Sequence, residues 1–440
     1  MKSRFLYLLL LYCLCFEETL AYLNVPFSLV KYVVIFVLLI RLFTAKATIN
    51  VKIDFAMKML IVLELIALLR SVPMIFNTGF DGIMYWKNFL WFPIFLYIFS
   101  NLRNMSGMSY ETYFRHYINA MCFYVVISTG LYFVHIPFLI SVNERYWGRI
   151  TVGYPTIDVI MISSALALLF FNKNGWNVKG MIIRAFCLIL GIIATASGTG
   201  MALLCIVVVL MVIHNCGNMR EDKNSLLKTR MTFIALLFVF LTGGITAISY
   251  FKNKNPQLYE SVSLQMENRF NLLIGRSSVS ELNVNTMEIR EERYKKALTK
   301  FLNSDFKKLF GIGFGNISMK TFDSKHIIVE DQISLNRVTI GNLGNMVYIY
   351  VLLSLLVKIL RSHMKRNQRF IFISMWMFML ASSFTSCNIL SVGPIALWSL
   401  TYSYLCSLLF NYRVKMIIIK KLKTLYAGYK KNTILFSQSI

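Results

Sequence analysis

Charge is scarce in this 440-residue chain, and acid is scarcer than base. Only 15% of the residues are charged, 20 Asp and Glu against 46 Lys and Arg, while 57% are hydrophobic. Mean hydropathy is +0.60. A soluble chain of this length would form two or three domains, and so few charges cannot cover their surface when apolar runs recur along nearly the whole sequence. Cysteine is missing from the one long hydrophilic stretch, 250–340. All eight (Cys13, Cys15, Cys122, Cys187, Cys205, Cys216, Cys387, Cys406) lie in or beside apolar runs. This excludes a disulfide framework for the stretch and suits packing roles. Metal-ligand spacing, a Ser-His-Asp order, a zinc motif and a P-loop are all lacking. Tandem repeats, heptads and low-complexity tracts are absent too, as are the paired broken helices of inverted-repeat transporters.

What is present is a series of apolar runs. They fall near 4–22, 25–43, 55–76, 84–101, 114–134, 156–172, 181–197, 199–216, 231–250, 341–360, 370–388 and 392–412. Each must satisfy its own backbone groups in lipid, so the sequence predicts an all-α polytopic membrane protein of about twelve transmembrane helices. Its 23 Tyr and 6 Trp suit two membrane interfaces. The first run follows Met1-Lys-Ser-Arg and resembles a signal-peptide core, but no small-x-small site follows Glu17-Glu18, which favours an uncleaved helix.

Basic residues in short loops set the orientation. One set of loops holds Lys2 and Arg4; Arg41, Lys46 and Lys52; Arg103; Lys173 and Lys179; Arg220, Lys223, Lys228 and Arg230; Arg361, Lys365, Arg366 and Arg369; and the tail from Arg413 to Lys431. The opposite short loops, near 17–24, 77–83 and 388–391, hold none, and Lys31 and Lys87 sit just inside helix ends. Both termini are therefore expected in the cytoplasm. The formal charge of +26 then marks cytoplasmic loops, and no nucleic acid partner is expected. The domain organisation follows: membrane helices one to nine over 1–250 with a medium outer loop at 135–155, a large outer loop at 251–340, helices ten to twelve over 341–412, and a basic tail at 413–440.

The large loop is too long for a connector. Asn285-Thr-Met-Glu288 reads as a capping box, and the helix it opens runs to about Leu302. Tyr294, Ala297, Leu298 and Phe301 form its apolar stripe, and Arg290, Arg293 and Lys300 a neighbouring basic one. That stripe suits an anionic headgroup or a diphosphate at the bilayer surface; a solvated helix with Glu291–Lys295 and Glu292–Lys296 pairs is the alternative. Next comes Leu309-Phe-Gly311-Ile-Gly313-Phe-Gly315. It has the look of a phosphate cradle, yet it lacks GxGxxG spacing and a strand–helix setting, which favours a tight turn returning the chain to the membrane. His326 is the loop's one histidine and lies near Glu330 and Asp331, where imidazole and carboxylate can act as a general base. In the medium loop, Arg145 and Arg149 are either interface anchors beside Trp147 or, for Arg149, a charge pointing into a cavity.

Three stretches resemble the O-antigen polymerase family and its O-antigen ligase relatives. Arg149-Ile-Thr-Val-Gly153-Tyr-Pro155 is similar to the Arg–Gly–Pro start of that family's sixth helix. Ala194-Thr-Ala-Ser197-Gly198-Thr199-Gly200 resembles a helix-opening motif, with Gly198 where a basic residue is common. Arg290-Glu-Glu-Arg293, the glycine turn, Glu330-Asp331 and Asn342-Leu-Gly344-Asn repeat the family's order of Arg helix, turn, polar pair and returning helix. The resemblance implies a GT-C-like, metal-independent glycosyltransferase in the bacterial inner membrane. Its substrate would be an undecaprenyl-diphosphate-linked oligosaccharide, and a chain-length regulator and a flippase would work in the same pathway. Expected catalytic residues are Arg149, Arg290, Arg293, His326 and Glu330, with Arg145, Arg269, Arg276, Lys300, Gly311 and Gly313 binding substrate. Arginine suits a diphosphate leaving group because it is always charged and grips phosphate bidentately. A ligase or a lipid-linked oligosaccharide flippase is the alternative.

Overall fold

The computed structural model describes residues 2–16, 27–47, 55–74, 81–134, 155–172, 176–195, 198–216, 253, 295–296, 299–300, 302–314, 317–318, 327–328, 331–384 and 392–409. The protein is helical, as the apolar runs predict. In chain order the helices are α1 (Lys2–Cys15), α2 (Phe27–Thr44), α3 (Phe55–Ser71), α4 (Asp81–Ser100), α5 (Leu102–Ser106), α6 (Tyr110–Val134), α7 (Pro155–Phe171), α8 (Val178–Ala194) and α9 (Gly198–Cys216). They continue as α10 (Asp305–Phe310), α11 (Gln332–Thr339), α12 (Gly341–Arg361), α13 (Arg366–Ser383) and α14 (Val392–Leu409). The predicted runs correspond to α1–α4, α6–α9 and α12–α14; the run at 231–250, the medium loop to residue 154 and the tail lie outside the described residues. By length and composition, α12 and α14 among the described helices are long and apolar enough to cross a membrane, and shorter apolar stretches run over Ser3–Cys15, Trp91–Ser100, Ile157–Phe171 and Thr199–His214. One departure from the all-α expectation is a two-residue parallel pair, β1 (Ile317–Ser318) with β2 (Ile327–Ile328).

The bundle is organised around α7, which packs against α6, α8, α9 and α13. Every residue from Asp158 to Leu169 is buried. Small residues make this possible, because Ser163, Ser164, Ala165 and Ala167 let neighbouring backbones close in. The neighbours reciprocate: a Cβ on Gly191 of α8 would meet Val125 of α6 at 2.5 Å, and one on Gly200 of α9 would meet Val159 at 2.9 Å. A second, smaller core joins Met57, Leu60 and Ala67 of α3 to Leu335 and Val338 of α11 and to Val351 and Leu352 of α12.

Apolar side chains also face outward. Val33 and Phe36 on α2, Val62 and Leu69 on α3, Phe123 and Val126 on α6, Ile183 on α8, Val209 on α9 and Met346 and Leu353 on α12 are all exposed. Inside lie Asp158, Ser163, Ser164, Asn336, Asn345, Ser383 and Ser403. A soluble fold rarely exposes so many large apolar side chains.

The helix ends sort into two groups. At one end Arg41 donates to Ser3 Oγ at 3.2 Å, and Tyr97 Oη donates to the Ala47 carbonyl at 2.9 Å. Tyr404 Oη donates to Glu111 Oε1 at 2.5 Å and accepts from Gln368, while Asn172 donates to the Glu111 carbonyl. His214 and Asn367 meet at 2.7 Å, and Arg366 caps the Ile213 carbonyl. These are ends that the basic-loop pattern puts on one side. The C-termini of α1 and α3 and the N-termini of α7, α12 and α14 lie at the other end, where Gly393 approaches Leu14 and Met161.

Candidate functional site at the loop-bearing end

The described end of the large loop folds onto α3, α11 and α12. Ser304 caps α10 by accepting from the Lys307 amide, and Asp305 follows in the first turn. Beyond α10 the chain reverses through Gly311-Ile-Gly313. Four consecutive amides are engaged there. Gly311 N–H donates to the Lys307 carbonyl, Ile312 to Val338 and Gly313 to Thr339, at 2.7, 2.8 and 3.0 Å. Phe314 N–H donates to Ser71 Oγ at 2.6 Å. A phosphate cradle needs amides that point at its ligand. Gly311 and Gly313 both have their amides bonded within the protein, the arrangement that the tight-turn reading expects. Their φ values are +72° and +81°, and protein backbone fills the space of a Cβ at either position, from Thr339 and Gly341 at Gly311 and from Ala67 at Gly313.

The sequence reading passes over Arg70, because it falls inside the third apolar run. Its Nη1 donates to the Phe310 and Gly311 carbonyls at 3.0 and 3.2 Å. The guanidinium also lies over the Phe306 and Phe310 rings, 5.2 and 5.7 Å from their centroids. A cation at the C-terminus of α10 complements the carbonyls that end it. Arg70 therefore clamps α10 to the end of α3. Its visible signal in the sequence is an arginine in the last turn of a run whose following loop holds no basic residue.

Of the expected site residues, Lys300 is described: it is helical and exposed, as are Lys295, Lys296 and Thr299. Thr299 Oγ1 donates to the Lys295 and Lys296 carbonyls, which fits the predicted helix over this stretch. Arg145, Arg149, Arg269, Arg276, Arg290, Arg293, His326 and Glu330 lie outside the described residues. Asp331, neighbour of Glu330, is the N-cap of α11, with Oδ1 accepting from the Ser334 amide at 2.8 Å.

A second group of polar residues sits at the same end, on the central helix. Asp158 follows Pro155 by less than a turn. Its Oδ1 accepts from Tyr124 Oη at 2.5 Å, and the Phe16 ring packs edge-on against Tyr124. Its Oδ2 is buried with no hydrogen-bond partner among the described residues. A carboxylate enclosed among helices and held by one bond is a functional-site candidate. Asp158 has no visible role in the sequence, since nothing in the pattern shows that α7 is enclosed. No group of three or more His, Cys, Asp or Glu side chains among the described residues is placed to hold a metal.

No protein-family model matches this chain, and no curated protein matches it.

Proposed function

We propose that the protein is a polytopic inner-membrane polymerase. It joins undecaprenyl-diphosphate-linked oligosaccharide units into O-antigen or capsule-type polysaccharide at the outer face. The observation that carries this reading is the packing of the large loop onto the ends of α3 and α12, away from the basic helix ends. In the sequence, the Arg290–Arg293 stretch, the glycine turn and the returning helix follow one another in the order of the O-antigen polymerase family. The many large apolar side chains on the outside of the bundle support the membrane part. On this reading a terminal hydroxyl of a new repeat unit attacks the anomeric carbon of the growing chain. Undecaprenyl diphosphate leaves, and Arg149, Arg290 and Arg293 supply the fixed positive charge that its phosphates need. His326 or Glu330 takes the hydroxyl proton, and no metal is required. Arg70 acts one step removed, holding the turn that brings the loop back.

Buried Asp158 favours a second reading, a lipid-linked oligosaccharide flippase, because carboxylates enclosed among helices line transport paths. Of three other charged residues within or near the spans, half-buried Glu64 on α3 adds a second carboxylate, and the remaining two do not add to such a path. Lys58 is exposed, and Arg184 is engaged by Asn119 and the Gly180 carbonyl. A gene deletion examined by polysaccharide gel separates the readings. The polymerase leaves a single repeat unit on its usual acceptor, and Arg290→Ala or Arg293→Ala reproduces that pattern. Long polymer retained on the lipid carrier means a ligase, and complete loss of surface sugar means a flippase.

A further inference from the structure

Helix α10 divides its two turns by chemistry. Successive residues of a helix are about 100° apart, so Phe306, Leu309 and Phe310 share one arc while Asp305, Lys307 and Lys308 fill the other. Yet the apolar arc is not buried: Phe306 is 61% exposed and Leu309 46%. Arg70 stacks beneath the aromatic pair, whose ring centroids are 5.0 Å apart, and fixes the helix in this attitude. The exposed arc continues an apolar surface, since Leu69 and Val72 at the end of α3 and Leu343 and Met346 at the start of α12 are exposed as well. On its polar arc Lys308 pairs with Asp305 at 3.2 Å and Lys307 bonds Asn303 at 3.0 Å. Nearby in sequence Lys295, Lys296 and Lys300 are exposed too. Asp305 is the one carboxylate on α10, and Lys308 holds it.

We infer that α10 is an interfacial foot, seated in the outer headgroup layer of an anionic bilayer with Phe306 and Leu309 inserted. The inference rests on the membrane reading above and adds a lipid contact to the loop-bearing end. Three features select lipid as the occupant. The apolar arc is continuous with the faces of α3 and α12 that meet the acyl chains. The helix lies where those faces end, at headgroup level. The lysines complement anionic phosphates, as in other interfacial helices. Seated this way, the foot fixes the depth of the glycine turn.

The test places a tryptophan at Phe306 of the full chain in bilayer nanodiscs containing phosphatidylglycerol, and subtracts the parent protein's emission. A parallel Leu353→Trp variant marks the acyl-facing surface of α12. The Phe306→Trp signal is expected to lose most of its intensity to lipids brominated near the headgroup, and less to lipids brominated near the chain ends. The Leu353→Trp signal should show the opposite preference. Exchanging phosphatidylglycerol for phosphatidylcholine should weaken the Phe306→Trp quenching; no change would remove the anionic part of the proposal. If Leu353→Trp is quenched by bromolipid and Phe306→Trp only by aqueous acrylamide, the foot is overturned while the membrane reading stands. If neither is quenched by lipid, the membrane reading falls with it. Leu309→Trp serves as the second probe should Phe306→Trp fail to fold.

Discussion

Among single residues, the turn glycines make the sharpest demand on the sequence. Gly311 and Gly341 face each other across two chain segments: a Cβ on the first would strike Thr339, and one on the second would strike Leu309. Both have positive φ, +72° and +75°. Gly107 has a similar φ, +69°, with open space around it. An L-residue in that region costs roughly 1–2 kcal/mol, which Gly107→Ala should show alone. Gly311→Ala should add the clash and lower the melting temperature of detergent-purified protein further; equal shifts for the two variants would mean that the close approach is absent. The glycine cluster was legible in the sequence as a turn. Its partners were not, because Ser71 lies 243 residues from Phe314 and no local pattern links them. Asp158 was illegible for a related reason: burial of a carboxylate depends on what surrounds its helix, and spacing along one helix does not carry that.

For the helices, existence and approximate bounds followed from the apolar runs, whereas their neighbours did not. All the runs are apolar around their circumference, so periodicity could not say that α7 is the enclosed one. Its serines and alanines are the physical reason, and they are an easily overlooked signal in a chain so rich in leucine and phenylalanine. The pairing of α6 with α8 can be checked directly. Cys187 Sγ donates to the Cys122 carbonyl at 3.6 Å, and Cys122 Sγ reaches the Arg184 carbonyl at 4.0 Å. Copper phenanthroline should join Cys122 to Cys187, detected as a disulfide-linked peptide pair by mass spectrometry. Cys122→Ser should abolish that pair. Failure of the two to cross-link would place α8 in a different register against α6.

Across the whole molecule, the two groups of helix ends give a sidedness that labelling can read. Asn303 is exposed just before α10, and Lys365 is exposed between α12 and α13. On intact cells an impermeant maleimide should modify Asn303→Cys and spare Lys365→Cys until the membrane is opened, with the parent protein as background. The reverse pattern would invert the proposed orientation and move the large loop to the cytoplasm. The basic-loop count is what predicts this sidedness from the sequence. The docking of the loop end onto α3 and α12 needed coordinates, since it rests on one arginine, one serine and a run of backbone amides.

The enclosure of α7 also bears on how such a chain is made. Its wrapping is assembled from both directions along the sequence: α6 precedes it, α8 and α9 follow directly, and α13 arrives only after the large loop has been synthesised. Until then one flank of α7 lacks its final neighbour. The half-made protein is thus at its most vulnerable while the loop is being synthesised, and its C-terminal helices act as the closing piece of the bundle's assembly.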